Sequence, residues 1–457
     1  MIIHQTLEIA LQHHTKGELP EAESQYKMIL QSDPTHVAAT HMLGLIAHQV
    51  GKNRDAVDLI SKALGMSPNL AEAHNNLGNA LRELGKLDEA ISSYERAISA
   101  RPDYSDAHHN HGYALHDLGK PSEAIVCYHK ALELEPKHVR THLNLGYALR
   151  TLGKLEEAIK SYKDALTIDP NHSLAYRNLG LIYMDLGQLD NALDAFQAID
   201  SPEFKAYVLE CLFTLGEYDR FYDTQAQSSD VYKTNIQAAA ISAFASQQLE
   251  RSDPHTFCKR PLDFVRMYET IEDTDQSDDF LDHIIGQLDN MDAVWEPLGS
   301  TTKDGFQTRP TLFDEPTGHL AQLEQVLRKQ IEKYVDEFAT EDCDFIQSFP
   351  RTLNLTGWFV RLLKGGHQIE HMHAKGWLSG VFYLQTPKTT NPEEGAIELG
   401  LWGYDYPVLN NNYPKQRYYP KEGNLILFPS SLFHRTIPIH STEDRLSIAF
   451  DLLPTIH

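Results

Sequence analysis

The chain has 457 residues, a length that predicts two or three domains rather than one core. Hydrophobic residues make up 41% and charged residues 23%, which is the balance of a globular protein and excludes a disordered chain. Lys and Arg total 40 against 64 Asp and Glu, and the formal net charge of −24 makes nucleic acid and membrane surfaces poor partners.

The first residues, MIIHQTLEIALQHHTKGEL, have no basic flank and no long apolar core, so they predict an amphipathic helix and no signal peptide. No stretch of the sequence approaches the ~20 apolar residues of a membrane span. The four cysteines lie far apart without a CxxC pair, which favours a reducing compartment over a disulfide framework or a zinc site. The sequence therefore predicts a cytoplasmic protein.

The first half of the chain repeats with a period of 34 residues. Each unit has a glycine, an alanine five residues later and, in most copies, a closing proline. The glycines are Gly17, Gly51, Gly85, Gly119, Gly153 and Gly187; the alanines are Ala22, Ala56, Ala90, Ala124, Ala158 and Ala192; the prolines are Pro34, Pro68, Pro102, Pro136 and Pro170. A glycine that ends one helix, an alanine that allows close packing and a proline that stops the next helix predict a stack of helical pairs.

Segments such as AEAHNNLGNALRELGKLDEAISSYERAISARPDY resemble the tetratricopeptide repeat. The resemblance covers residues 37–199 closely and residues 3–36 adequately. It implies an all-α solenoid over residues 1–200. The bulky residue that the family usually has at its fourth position is His or Tyr in four of these repeats: His74, His108, His142 and Tyr176.

An asparagine recurs two residues before the first-helix glycine of four successive repeats, as Asn76, Asn110, Asn144 and Asn178. In the tetratricopeptide family this helix face lines the concave groove, and the series resembles the peptide-binding asparagine ladder of O-linked N-acetylglucosamine transferase. A carboxamide can donate to and accept from a peptide backbone without reading side chains. The resemblance implies a protein or peptide partner in the groove. The alternative is that these asparagines make ordinary polar contacts between repeats.

The repeat is lost after Asp200, although residues 205–222 and 235–250 still have helical patterns. We expect residues 201–252 to be a degenerate helical cap or linker. Two prolines in SDPHTFCKRPLDFV then mark a boundary, so the remaining domain spans residues 253–457.

The last domain begins with helical segments and continues with short strands. Residues 319–339 predict one amphipathic helix, and five later apolar runs, separated by Gly, Pro and Asn clusters, predict strands. Helices followed by many short strands predict a β-sandwich or barrel with helices packed against it.

Two histidine features stand out among these strands: the pair His371 and His373, and His434 just after the strand NLILFPS. Alternate residues of a strand share a face, so the pair could bind one metal ion. His-x-His alone is a weak signal, because a second pair, His109 and His111, falls in a repeat helix where the two side chains diverge.

Arg445 follows His434 by 11 residues, on the strand RLSIAFDLL. Together with VRLLKGGHQIEHMHAKGWLSGVFYLQTP and GNLILFPSSLFHRTIPIHSTEDRLSIAFDLLP, this order of residues resembles a branch of bacterial 2-oxoglutarate-dependent Fe(II) oxygenases. The resemblance covers about 100 residues closely and implies a double-stranded β-helix, or jelly roll. The expected fold is therefore multidomain: an all-α tetratricopeptide solenoid, then a jelly-roll domain with buttressing helices.

The resemblance implies Fe(II) as the metal and 2-oxoglutarate as the cosubstrate. It makes His371 the first iron ligand, His434 the distal ligand and Arg445 the partner of the distal carboxylate of 2-oxoglutarate, which a guanidinium can grip through two bonds. Tyr383 matches a position whose hydroxyl helps to hold that carboxylate. Arg361 is a weaker candidate for binding the cosubstrate or the substrate.

The sequence departs from the family at the second ligand, because the usual two-histidine, one-carboxylate triad has a histidine, His373, in the carboxylate position. Three arrangements are possible. His373 is the third ligand, His371 and His434 bind the metal alone with water, or a distant carboxylate completes the set. The long tyrosine-rich segment 400–420 is either a packed surface loop or a lid over the metal.

These features predict an iron- and 2-oxoglutarate-dependent dioxygenase that hydroxylates a side chain of a protein or peptide held by the repeats. One rival is a three-histidine iron dioxygenase that uses no 2-oxoglutarate. A second rival is a repeat scaffold whose barrel is not catalytic.

Overall fold

The computed structural model describes residues 2–227, 235–270, 279–297, 300–389, 391–411 and 413–454. The chain divides into two compact units, Met1–Ile199 and Asp200–His457. In the described ranges, no helix is both long and apolar enough to cross a bilayer.

The first unit is an all-helical solenoid in which each helix packs against its neighbours along the chain. Its helices are α1 (Ile2–Thr15), α2 (Leu19–Ser32), α3 (Val37–Gln49), α4 (Asn53–Met66), α5 (Ala71–Glu83), α6 (Leu87–Ala100), α7 (Ser105–Asp117), α8 (Pro121–Leu134), α9 (Val139–Thr151), α10 (Leu155–Ile168), α11 (Ser173–Asp185) and α12 (Leu189–Gln197). This confirms the predicted helical pairs.

The packing inside one repeat explains its recurring residues. Gly85 lies just beyond α5 with a φ of 74°, a left-handed conformation that side chains with a Cβ rarely adopt. Gly78 lies against Tyr94 of α6, and a Cβ there would come within 2.5 Å of the ring. Ala90 is fully buried between the helices. A larger residue at either small position would push the two helices apart.

The histidines at the fourth position of three repeats share one hydrogen bond. Each imidazole lies 2.8–2.9 Å, through Nε2, from the carbonyl oxygen of the proline six residues earlier: His74 with Pro68, His108 with Pro102 and His142 with Pro136. The departure from the family's usual bulky residue therefore has a structural function, because the imidazole binds the turn between repeats.

The second unit combines helices with two antiparallel sheets. Its helices are α13 (Lys205–Thr214), α14 (Tyr218–Ala226), α15 (Ile236–Leu249), α16 (Phe280–Leu288), α17 (Gly318–Glu337) and α18 (Asp344–Gln347). Its strands are β1 (Arg266–Glu269), β2 (Ala293–Trp295), β3 (Thr302–Thr308), β4 (Asn354–Gln368), β5 (Leu378–Gln385), β6 (Ile397–Gly400), β7 (Lys415–Tyr418), β8 (Asn424–Pro429), β9 (Phe433–Thr436) and β10 (Arg445–Leu453).

The larger sheet has seven strands in the order β1-β8-β5-β10-β4-β3-β2, and the smaller sheet has three strands in the order β7-β6-β9. Strands next to each other in a sheet are thus mostly distant in sequence, as a jelly roll requires. The double-stranded β-helix and the predicted helix at residues 319–339 are both confirmed.

Residues 201–252 are expected from the sequence to cap the solenoid, but their helices fall within the second unit. Buried Glu210 of α13 accepts a hydrogen bond of 2.9 Å from the Tyr406 hydroxyl. Phe244 of α15 packs on the Tyr406 ring at 5.5 Å, and the Gln248 side chain accepts from the Leu409 amide at 2.7 Å. Buried contacts of this kind tie α13 and α15 to the long segment between β6 and β7.

Within segment 400–420, buried Tyr406 packs against two elements, although much of the described segment is exposed. Tyr406 contacts α15 on one side and the Phe433 ring, at 5.7 Å, on the other. Tyr404 also packs edge-on against Phe433, at 4.9 Å. Phe433 precedes His434 on β9, so these aromatic contacts support the strand that carries a predicted ligand.

Candidate active site

One face of the larger sheet carries the candidate cosubstrate residues Arg445 and Tyr383. On β10, Arg445, Ser447, Ala449 and Asp451 point to one face because alternate residues of a strand do so. Tyr383 of β5 pairs with Ser447, and Ser379 of β5 pairs with Asp451, so they share that face.

His371 and His434 are brought together by the backbone. The two residues form an isolated antiparallel bridge, with hydrogen bonds of 3.1 Å from the His371 amide and 2.8 Å from the His434 amide. Their ring centroids lie 4.2 Å apart. His373 follows two residues later, and its ring lies 5.1 Å from His371 and 4.9 Å from His434. The three histidines therefore form one cluster.

The side-chain geometry of this cluster suits a metal ion. One ring nitrogen from each histidine lies within 4.8 Å of the other two. The Nδ1 atoms face oxygen acceptors: Ile369 carbonyl at 2.8 Å from His371, Leu432 carbonyl at 3.5 Å from His434, and Asp451 carboxylate at 2.5 Å from His373. A proton on Nδ1 satisfies those contacts and leaves Nε2 as the ligand atom, the usual arrangement of metal-binding histidine.

Asp451 was not anticipated from the sequence as a site residue. The residue is 8% exposed, and the same carboxylate oxygen that faces His373 also accepts a bond of 2.7 Å from the Ser379 hydroxyl. A carboxylate on Nδ1 orients an imidazole and makes Nε2 a stronger ligand. The period-two spacing from Arg445 to Asp451 on β10 was the available signal.

Burial favours the neutral form of His371 and His434. Desolvation, followed by the charge of His373, lowers the pKa of His371 to about 3. Desolvation and the two neighbouring imidazoles hold the pKa of His434 well below its usual value. Unprotonated imidazoles can bind a metal without first losing a proton.

Aromatic side chains enclose the cluster. The Trp358 ring of β4 lies 5.4 Å from His373, and the Phe428 ring of β8 lies 4.9 Å from His434. Both residues belong to strands of the larger sheet. Their rings reduce the access of water to the imidazoles and strengthen electrostatic interactions there.

Arg445 is a buried cation with no ion-pair partner among the described residues. It is 1% exposed, its Nη1 donates to the Ser447 hydroxyl at 3.3 Å, and its Nε has no hydrogen-bond partner among the described residues. The guanidinium carbon lies 4.7 Å from the Tyr383 ring centroid. The fully buried Tyr383 hydroxyl also has no hydrogen-bond partner of normal geometry in the described part of the chain. Burying an unpaired guanidinium costs free energy, so the position beside Arg445 and Tyr383 suits the carboxylate of a ligand.

The donor set fits both groups that the resemblance implies. Three imidazoles suit Fe(II), and Arg445 with Tyr383 suits one end of a dicarboxylate. Between Arg445 and Asp451 the same face of β10 carries the small side chains of Ser447 and Ala449. Small side chains at these two positions suit a small molecule that extends from the guanidinium towards the histidines.

Arg361 is not part of this arrangement. It pairs with Leu446 of β10, and therefore lies on the opposite face of the sheet from Arg445. Its guanidinium is bound by Asp444, through Nε and Nη2 at 2.7 Å, and Asp289 lies 3.6 Å from Nη1. The prediction that Arg361 binds the cosubstrate is therefore corrected: the period-two geometry turns it away and two aspartates neutralise it.

The asparagine series lies on the first helices of successive repeats, and all four side chains are half-buried. The Asn76 amide lies 3.0 Å from His41 Nε2, and the Asn110 amide donates to Asn75 at 3.0 Å. Each of these contacts reaches the preceding repeat. Asn76 and Asn110 thus each use one amide hydrogen between repeats. A carboxamide has a second amide hydrogen and an oxygen acceptor besides.

Comparison with protein families gives two matches. The family described as "Putative 2OG-Fe(II) oxygenase" matches residues 356–451, and the family described as "TPR repeat" matches residues 78–119, 112–153 and 146–187. The chain therefore contains tetratricopeptide repeats followed by a domain of the 2OG-Fe(II) oxygenase family. The repeats indicate a role in protein or peptide binding, and the oxygenase domain indicates an oxidoreductase.

Solved structures similar to this chain include tetratricopeptide proteins. "Crystal structure of MamA" is 30% identical, with a TM-score of 0.33, and covers 35% of this chain and 95% of its own. "Crystal structure of YrrB: a TPR protein with an unusual peptide-binding site" is 24% identical, with a TM-score of 0.33, and covers 37% and 88%. PilF of Pseudomonas aeruginosa is 18% identical, with a TM-score of 0.40, and covers 49% and 97%. The comparison with curated proteins found no match.

Proposed function

We propose that this protein is an Fe(II)- and 2-oxoglutarate-dependent dioxygenase that hydroxylates a side chain of a protein or peptide bound by its repeats. The observation that carries the proposal is the buried Arg445, which has no described carboxylate partner and shares a strand face with Asp451, the residue that supports His373. A cation in that position needs an anionic ligand, and 2-oxoglutarate has a carboxylate at each end.

His371, His373 and His434 would hold the metal through their Nε2 atoms. The contact between His373 and Asp451 favours His373 as a ligand over the two arrangements without it, because Asp451 fixes the ring in the tautomer that ligation needs. Asp451 also returns to the site the negative charge that the missing carboxylate ligand would have supplied. It does so through one hydrogen bond rather than by direct coordination.

Arg445 and Tyr383 would bind the distal carboxylate of 2-oxoglutarate. The guanidinium can donate two parallel bonds to a carboxylate, and the Tyr383 hydroxyl can add a third. Fe(II) and 2-oxoglutarate, when bound, supply the oxidising chemistry, in which dioxygen is consumed and 2-oxoglutarate is converted to succinate and CO₂. The protein contributes the ligands, the grip on the cosubstrate and the aromatic walls at Trp358 and Phe428 that restrict water.

The substrate side of the proposal rests on the repeats. Asn76, Asn110, Asn144 and Asn178 recur at one position, and carboxamides at a regular spacing suit an extended peptide backbone. The four side chains remain partly accessible. The bound partner would then be held through its backbone, and the oxygenase domain would select the residue that is modified.

A succinate assay tests the function. The full chain, loaded with Fe(II) anaerobically, is given 2-oxoglutarate, air and peptide pools, and succinate and a peptide mass gain of one oxygen atom are measured together. We expect both products in equal amounts with some peptides. Neither product in any pool, with metal and 2-oxoglutarate shown to be bound, would contradict the proposal and favour the non-catalytic scaffold.

One observation favours a second function. Among the described residues, the candidate metal site contains three histidines and no carboxylate, a set that also suits an iron dioxygenase that does not use 2-oxoglutarate. In that enzyme Arg445 would bind the substrate itself. Oxidised substrate formed without 2-oxoglutarate, and without succinate, would establish this alternative.

A further inference from the structure

Two cysteines that are distant in the sequence lie together in the second unit. Cys258 precedes β1, and Cys343 is the residue before α18. The Asp344 amide donates to the Thr256 carbonyl at 3.1 Å, and the Phe345 amide donates to the Phe257 carbonyl at 2.9 Å. These backbone bonds hold the two segments side by side. The two thiols also interact with each other, because each shifts the pKa of the other. Both cysteines are free thiols.

The two thiols differ in environment. Cys258 is 3% exposed, and burial raises its pKa well above the usual value. The Cys258 thiol donates to Cys343 and lowers the pKa of that half-buried thiol to about 7, with help from backbone amides of α18. A thiol with this pKa is about half thiolate at neutral pH, and the thiolate is the reactive form. Its partial exposure and lowered pKa make Cys343 the thiol of the pair that is better suited to act as a nucleophile, and Cys258 is the covered one.

The other two cysteines lack these features. Burial raises the pKa of Cys211 to about 12 and that of Cys127 to about 11. Both lie on helices, Cys211 in the second unit and Cys127 in the repeats. They provide internal controls for thiol reactivity.

Cys343 is accessible to small molecules. It lines an open depression of about 360 Å³, together with Lys259 and Arg260 from the segment that carries Cys258, and with Asp342 and Gln347. The depression admits a small oxidant to Cys343, whereas Cys258 is covered.

We propose that Cys343 and Cys258 form a hydroperoxide-reactive dithiol site that closes to an intramolecular disulfide. The Cys343 thiolate attacks one peroxide oxygen; the S–O bond forms, the O–O bond breaks, and the released hydroxide takes a proton and leaves as water. The Cys258 sulfur then attacks the Cys343 sulfenic acid; the S–S bond forms, the S–O bond breaks, and the hydroxyl leaves with the Cys258 proton as a second water. Two thiols are oxidised and one hydrogen peroxide is reduced to two waters.

A transient disulfide of this kind agrees with a reducing compartment, where disulfides are usually catalytic or redox-sensing rather than structural. The segments it would join are already linked by backbone hydrogen bonds, so its formation requires little rearrangement. It is independent of the metal site and of the proposed oxygenase activity.

The test uses the full-length, reduced, metal-free chain and hydrogen peroxide as the probe. After exposure to about one equivalent, remaining thiols are alkylated and the chain is mapped by mass spectrometry without reduction. We expect a Cys258–Cys343 cross-link that dithiothreitol reverses. We also expect alkylation of Cys343 at pH 7 to be at least about tenfold faster than that of an ordinary cysteine.

Variants separate the two roles. Cys343→Ser should abolish rapid peroxide consumption. Cys258→Ala removes the hydrogen bond that lowers the pKa of Cys343, so it should consume peroxide more slowly than the parent and accumulate a sulfenic acid at Cys343 that dimedone traps. Cys127→Ser and Cys211→Ser should behave as the parent. Should Cys258→Ala fail to fold, the cross-link map and the alkylation rates of the unsubstituted chain still decide. Oxidation of Cys127 as fast as Cys343, or peroxide treatment that leaves residues 258 and 343 unlinked, would overturn the proposal.

Discussion

In the first unit, contacts that shape the fold recur from repeat to repeat. In the second unit, each candidate side chain occurs once. The hydrogen bond between His74 and Pro68 has counterparts in two later repeats. The bond between His373 and Asp451 has no such counterpart and joins residues 78 positions apart. From this difference we expect single substitutions in the solenoid to have small effects and single substitutions at the candidate active site to have large ones.

The largest effect is expected at Arg445, and Arg361 on the neighbouring strand is its matched control. Arg445→Ala removes a buried charge-assisted contact worth about 2–3 kcal/mol, so the Michaelis constant for 2-oxoglutarate should rise roughly 30- to 150-fold. Arg361→Ala breaks a partly exposed ion pair on the opposite face and should leave that constant nearly unchanged. Equal effects of the two substitutions in steady-state succinate assays would remove Arg445 from the cosubstrate site.

A somewhat smaller effect is expected at Asp451. Asp451→Asn keeps the size of the side chain but removes the charge behind His373, so Fe(II) affinity should fall by about 10- to 100-fold. Asp444→Asn, which alters the partner of Arg361 near the other end of β10, is the control. Calorimetric titration with Fe(II) under anaerobic conditions measures both. Unchanged metal affinity in Asp451→Asn would mean that His373 does not need this carboxylate.

Glu210 of α13, which accepts a hydrogen bond from Tyr406 in the segment before β7, makes the free energy of unfolding depend on pH. Burial raises the pKa of Glu210 to about 6. A carboxyl that holds its proton more tightly when folded stabilises the protein at low pH, and the stabilisation is lost as pH rises through about 6. Glu210→Gln removes this loss, so the variant should be more stable than the parent at pH 7.5 by on the order of 2 kcal/mol and similar to it near pH 4.5.

Thermal unfolding at several pH values measures the effect, with Glu332→Gln on the exposed side of α17 as the control. Burial also raises the pKa of Asp253 to about 6, so Glu210→Gln should reduce the slope of stability against pH without abolishing it. If stability depends on pH in the same way in Glu210→Gln and in the parent, folding does not raise the pKa of Glu210, and its carboxyl is charged in the folded protein at neutral pH.

The smallest effect is expected in the repeats, where four asparagines would each contribute part of the peptide-binding energy. Asn110→Ala with Asn144→Ala should weaken binding of a peptide substrate by roughly tenfold, since each lost hydrogen bond costs about 0.5–1.5 kcal/mol. The melting temperature should change little. Asn171→Ala with Asn191→Ala, at exposed positions, is the control. A double variant that melts early and binds normally would show that the series is structural.

The difference between recurring contacts in the first unit and single contacts in the second also explains what could be predicted from the sequence. The period of 34 residues fixes the helical pairs because each unit repeats its turn glycine and its small packing residues. The cluster of His371, His373 and His434 was predictable because the order of residues along the chain resembles a known family. Asp451 was not predicted, because its function arises only when β10 lies beside β5 and the loop that carries His373.

The assignment of Arg361 failed for a related reason. An arginine ten residues before His371 is close in sequence, but the face on which it lies depends on the strand register, and the pairing with Leu446 turns it outward. The helices of residues 201–252 are expected from the sequence to be a degenerate cap or linker, because they follow the solenoid. Their buried partners, such as Tyr406, lie about 200 residues away in the sequence and belong to the second unit.

The central claim is that the histidine cluster and Arg445 together bind Fe(II) and 2-oxoglutarate, and an anaerobic binding titration tests it most directly. 2-Oxoglutarate is added to the full chain with and without Fe(II), and to the variants Arg445→Ala and His434→Ala. We predict one site that requires the metal, is weakened at least about 30-fold in Arg445→Ala and is absent in His434→Ala. Binding of 2-oxoglutarate that is equally tight in the parent and in both variants would contradict the account.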